Sequence, residues 1–122
     1  MWHRLPGFLV AAFSLLAATA AVPHAFLDHA EPRVGSSVDA SPPTVTLFFT
    51  EPVEPAFSRV ELERDDGAKV ETGPVRYPAP DRLELPLPSL PPGEYTVRWA
   101  VVSVDTHPTE GRFTFTVKGA RS

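Results

Sequence analysis

Thr44-Val45-Thr46-Leu47-Phe48-Phe49 alternates with the period of an extended strand: Val45, Leu47 and Phe49 fall on one face, Thr44 and Thr46 on the other. The same pattern recurs on both sides of it. Phe57 to Glu63 offers Phe57, Val60 and Leu62 to an interior, and Asp65-Asp66-Gly67 then reads as a turn. Short extended pieces come next, near Lys69–Glu71 and Leu83–Leu87. The turn Pro91-Pro92-Gly93 opens the longest run, Tyr95 to Val104, with Tyr95, Val97, Trp99 and Val101 on one side. Arg112 to Val117 closes the chain with Phe113, Phe115 and Val117 alternating against Arg and Thr. Fifteen prolines and seven glycines, scattered along the chain, leave no room for a long helix. Seven or so short strands joined by such turns imply an all-β fold, an immunoglobulin-like sandwich of two antiparallel sheets with Greek-key connections. With no cysteine it has no disulfide. Phe48, Phe49, Phe57, Tyr95, Trp99, Phe113 and Phe115 are the expected aromatic core, sufficient for the domain to fold without a ligand.

The first residues read differently. Met1-Trp2-His3-Arg4 is a short basic start, and Phe8 to Ala18 is an apolar run, shorter than the roughly 20 residues a bilayer requires. Residues 1–23 are therefore expected to be a secretory signal, 24–119 the domain and 120–122 a short tail. Ala18-Thr19-Ala20 favours a cut after Ala20, with cuts after Pro23 or Ala25 as alternatives. The mature protein is expected in the periplasm. A net charge of -4 without a basic stripe argues against a nucleic-acid partner.

The expected domain holds three histidines, His24, His29 and His107. His107 lies in Ser103-Val104-Asp105-Thr106-His107-Pro108, where Pro108 is expected to end regular pairing and the chain to turn toward Glu110-Gly111. Asp105 and His107, two apart, project from the same side if strand geometry persists. A nitrogen and an oxygen donor so placed suit copper(II) or nickel(II), but the same pair also reads as a turn-forming Asp beside a solvated His. If processing made His24 the first residue, its α-amine and ring could chelate one ion; otherwise it reads as a frayed terminal residue. His29, five residues on, points to the opposite face and reads as solvated. Asp65-Asp66-Gly67 lacks the spaced acidic positions of a calcium loop, and Glu51 and Glu54 beside Pro52 read as solvated carboxylates.

Four blocks carry a resemblance: His24 to Ser36, Leu47 to Val53, Gly93 to Trp99 and Val102 to Gly111. Together they resemble the CopC family of periplasmic copper-resistance proteins over nearly all of the expected domain. The most specific block is Ser-x-Asp-x-His-Pro-x-x-Gly from Ser103. The resemblance implies one copper(II) ion held by His24, Asp105 and His107, and a carrier or buffer of copper resistance or homeostasis that passes its ion to a CopD-type membrane protein. Some members of that family carry a methionine-rich copper(I) loop. Here the single methionine is Met1, so no copper(I) methionine site is expected.

Two other functions compete with the carrier, which is not expected to be an enzyme. A terminal-histidine brace also supports a copper monooxygenase, although Asp105 as a further ligand would fill the position oxygen needs. A metal-free immunoglobulin-like interaction module would use Asp105 and His107 only to shape a turn. Ser103, Asp105 and His107 crowd one strand end and do not form a hydrolytic relay with His in the middle.

Overall fold

The computed structural model describes residues 24–119. The expected signal and the 120–122 tail lie outside them. Among the described residues nine strands succeed one another: β1 (Leu27–Glu31), β2 (Ser37–Val38), β3 (Thr44–Phe49), β4 (Arg59–Arg64), β5 (Lys69–Val70), β6 (Arg76–Ala79), β7 (Arg82–Pro86), β8 (Gly93–Val102) and β9 (Pro108–Val117). They form a four-stranded sheet in the order β1-β3-β7-β6 and a five-stranded sheet in the order β2-β9-β8-β4-β5. Pairing is antiparallel except between β2 and β9, which run parallel, so the expectation of two wholly antiparallel sheets is corrected at that edge.

The alternation seen in the sequence fixes the interior. Val45, Leu47, Phe49, Leu83 and Leu85 are buried from one sheet; Val60, Leu62, Tyr95, Val97, Trp99, Val101, Phe113, Phe115 and Val117 are buried from the other. Each such side chain withdrawn from water contributes about 1.5–3 kcal/mol. Trp99 meets Phe49 across the two sheets edge to face, with centroids 5.2 Å apart, and is a core residue as expected. The Tyr95 hydroxyl donates to the Pro91 carbonyl at 2.6 Å, which satisfies the one polar atom of a buried ring.

Two expected core aromatics lie elsewhere. Phe57 is 67% exposed, because Pro55 opens a 3-10 turn over Pro55–Phe57 and β4 starts only at Arg59. Phe48 follows the strand period to the outer face of β3. There it stacks on His29, centroids 4.1 Å apart, while the Arg82 guanidinium lies 4.5 Å from its centroid. Two strands carry no signal in the sequence. The pair β2 is too short to show a period, and β6 contains Pro78, which an edge strand tolerates.

The β8–β9 hairpin positions Asp105 and His107. Its register runs without a break from Gly93 opposite Val117 to Val102 opposite Pro108, leaving Ser103–His107 as its loop. Pro108 therefore begins a strand, and Glu110 and Gly111 lie within β9 and not in a turn.

Candidate metal centre

The Ser103–His107 loop is held from inside by its first residue. Ser103 is buried; its amide donates to the His107 carbonyl at 3.0 Å, and its carbonyl accepts from the Thr106 amide at 2.8 Å. Its hydroxyl accepts from the His107 amide at 3.2 Å and donates to the Asp105 carboxylate. Thr106 closes the loop at φ 73°, in the left-handed region that a β-branched residue seldom adopts. Asp105 and His107 are thus brought together by a tight turn and not by strand alternation, which ends at Val102.

The N-terminal segment is tied to the same end by two hydroxyls. Thr109 donates to the Ala25 carbonyl at 2.6 Å, and Thr50 donates to the His24 carbonyl at 3.2 Å while accepting from the Phe26 amide at 3.0 Å. Ala25 itself is wholly buried. These ties bring the His24 ring against that of His107, centroids 4.6 Å apart and planes at 90°. Nothing in the sequence marks Thr50 or Thr109 for this task, since the contacts join residues 26 and 84 positions apart.

Asp105 Oδ2 lies 3.2 Å from His107 Nδ1, yet that nitrogen is buried and makes no aligned hydrogen bond. An orphaned ring nitrogen beside a carboxylate oxygen is costly unless something else uses its lone pair. Two donors about 2.0 Å from one ion and at right angles stand roughly 2.8 Å apart, so the pair has nearly the spacing of neighbouring ligands. The Ser103 hydroxyl holds the Asp105 carboxyl below its ordinary value, with His107 adding to the effect and partial burial opposing it. Asp105 is accordingly an anionic oxygen donor at neutral pH. Among the described residues no group of three or more His, Asp or Glu side chains is placed to hold a metal ion, so the expected trio of His24, Asp105 and His107 is not assembled as a ligand set here. What the fold assembles is a pair of contacts centred on His107, with the His24 ring lying edge-on to it. His29 takes no part in this cluster: it is exposed at the surface, but its ring stacks on Phe48 and its Nδ1 lies 2.7 Å from Asp28 Oδ2.

Residues 27–118 match the family model of the CopC domain, a span that includes Asp105 and His107 and starts three residues after His24. The chain is 42% identical over 98 residues to the protein YobA of Escherichia coli K12, covering 78% of this chain and 79% of that one. Its fold is similar to the crystal structure of CopC from Methylosinus trichosporium OB3b, with a TM-score of 0.76 and 38% identity over 81% of this chain and 98% of that one. It is also similar to PcoC, a methionine-rich copper resistance protein from Escherichia coli, with a TM-score of 0.72 and 33% identity over 79% of this chain and all of that one. A nine-stranded sandwich, a hairpin loop built on Ser103, Asp105 and His107, and a family match over residues 27–118 together make this chain a member of the CopC domain family.

Proposed function

We propose that this chain is an exported copper(II)-binding protein of copper resistance or homeostasis, which carries or buffers one ion through His24, Asp105 and His107. The observation that carries this reading is the buried Nδ1 of His107, which lies 3.2 Å from Asp105 Oδ2 without an aligned hydrogen bond, on a ring whose centroid is 4.6 Å from that of His24. Imidazole nitrogens and a carboxylate oxygen are the donors copper(II) prefers in tetragonal geometry. Soft thiolate or thioether ligands for copper(I) are missing from residues 24–119, since the chain has no cysteine and its one methionine is Met1.

Processing decides the remaining donor. The carbonyls of His24 and Ala25 both accept threonine hydroxyls, which supports a mature chain that retains both residues. A cut after Pro23 would add the His24 amine to the ligand set, and copper would displace its proton. A cut after Ala20 would leave the site to the three side chains. Export to the periplasm and delivery to a CopD-type membrane protein complete the reading; among the described residues no helix is long and apolar enough to cross a membrane.

A copper(II) competition titration on protein processed in the periplasm, beside His107→Ala, tests this reading. One tight equivalent weakened by several orders of magnitude in the variant is expected. Equal weak binding by both would sink it. Oxygen uptake with copper and a reductant at the rate of free copper or below is expected of a carrier, whereas turnover would turn the reading toward an oxygenase.

A further inference from the structure

Among the described residues four large apolar side chains stand exposed: Phe26 at 56%, Val34 at 56%, Phe57 at 67% and Val104 at 55%. Three of them crowd the end of the sandwich that holds His107. Phe26 lies edge-on to the His24 ring at 5.8 Å. Val104 precedes Asp105, and its amide donates to the Pro52 carbonyl at 3.3 Å. Phe57 closes the 3-10 turn that begins after Glu54, whose amide donates to the Val102 carbonyl at 2.8 Å. Phe57 also lines a concavity of about 500 Å³ with Ala100, Val102 and Pro108, the last of these next to His107, and with Arg59 and Glu110 as its charged residues. Singly exposed apolar residues need no explanation, but grouped ones mark a surface that another molecule covers.

The charges at this end are mostly acidic, with Arg59 and Arg82 at its border and Glu110 beside Arg59 in the concavity. The segments 24–26, 50–58, 80–81 and 103–107 contain Glu51, Glu54, Asp81 and Asp105 and no Lys or Arg. Hydrogen bonds from the Phe49 amide to the Asp81 carbonyl and from the Val53 amide to the Pro80 carbonyl place the 80–81 turn there. The side chains of His107 and Asp105 are 43% and 31% exposed, so the candidate site opens toward the same surface.

We propose that this end is the docking face for a different protein, one whose contact surface is apolar with a basic rim and which exchanges copper with the site. The inference rests on the copper reading above. Complementary charge selects the occupant. A second copy would set one acid-rich face against another, Glu51, Glu54 and Asp81 against their equals, and an anionic bilayer would be repelled, whereas Lys and Arg on a partner would be drawn in. A partner seated on Phe26, Phe57 and Val104 excludes water from the open ligands, so its own donors can replace them one at a time without releasing a free ion.

The test places the photocrosslinker p-benzoylphenylalanine at position 57 and, separately, at position 34, which lies beside Gly35 where that amide bonds Thr114 and away from the metal end. Full-length protein is irradiated in copper-exposed cells of its own organism. A heterologous adduct from position 57 is expected, absent from position 34 and lost when Glu51 and Glu54 are both replaced by Lys. In the same cells Phe57→Ser should lower copper tolerance toward that of a deletion strain, while its copper(II) affinity stays within about twofold of wild type and its circular dichroism is unchanged. Equal adducts from both positions, a homodimeric adduct, flotation of the purified protein with phosphatidylglycerol vesicles, or full tolerance with Phe57→Ser would each overturn the proposal. Absence of copper binding by the wild-type protein itself would instead mark failure of the underlying copper reading.

Discussion

The Thr109 hydroxyl donates a 2.6 Å hydrogen bond to the carbonyl of Ala25, a residue with no exposed surface. That bond joins β9 to the segment carrying His24, and so sets where the His24 ring lies relative to His107. Thr109→Val keeps the shape of the side chain but leaves a buried carbonyl unpaired, which costs about 1–3 kcal/mol. Copper(II) affinity is expected to fall by up to roughly five- to 150-fold, the equivalent of that energy, with Thr109→Ser restoring most of it. The paramagnetic resonance spectrum of the loaded variant should show a changed nitrogen count. A spectrum and affinity identical to wild type would mean that His24 is placed by other contacts.

Ser103 and Asp105 make a prediction in pH. The Ser103 hydroxyl bonds the carboxylate form of Asp105 and so lowers its pKa below the ordinary value of 3.8. A carboxyl depressed on folding stabilises the native state fully above its unfolded value, and that contribution is lost as pH falls through the folded value. Ser103→Ala should therefore raise the Asp105 pKa toward the ordinary carboxylate range, measured by side-chain carboxyl NMR in the apo protein. The variant should also lose less stability than wild type between about pH 5 and pH 3. An unmoved Asp105 pKa would refute the hydroxyl's role.

Much of this arrangement is legible in sequence, for reasons particular residues make plain. Period-two alternation assigns Val45, Leu47, Phe49, Val97, Trp99, Val101, Phe113 and Phe115 to the interior where they lie, because half-buried strands record their faces directly. Phe57 departs from its expected place because Pro55 creates a turn that alternation does not encode. Asp105 and His107 are legible as a pair because they share one short loop, but the Thr106 conformation that joins them is not. The ties from Thr50 and Thr109 depend on which strands become neighbours, and single hydroxyls carry no periodic signature of that.

Phe48 and Phe49 are consecutive in sequence and opposite in role, so their alanine variants should differ sharply. Phe49 is buried against Trp99, and its truncation is expected to cost about 3–5 kcal/mol through lost transfer energy and a cavity. Phe48 lies outside, between His29 and Arg82, where its loss removes one stack and one cation–π contact worth roughly 1–2 kcal/mol together. Urea denaturation of both variants checks this ordering. Equal costs would mean that the outer stack contributes as much as the core.

Gly111 sits opposite Trp99 in the β8–β9 register, and the indole covers the place a side chain would take. A Cβ built on Gly111 would lie 2.6 Å from Cζ2 and 2.8 Å from Cε2 of Trp99, distances no real contact sustains. The obstruction is a rigid ring held in turn by Phe49, so it cannot swing aside as a flexible chain end would. Gly111→Ala should therefore cost about 1–3 kcal/mol by overpacking, and shift the tryptophan fluorescence as the indole is displaced. Trp99→Leu in the same chain opens the space, so the added methyl should then cost markedly less than in the parent. If Gly111→Ala is equally harmful with and without the indole, the clash is not its cause and the glycine is required by the backbone instead.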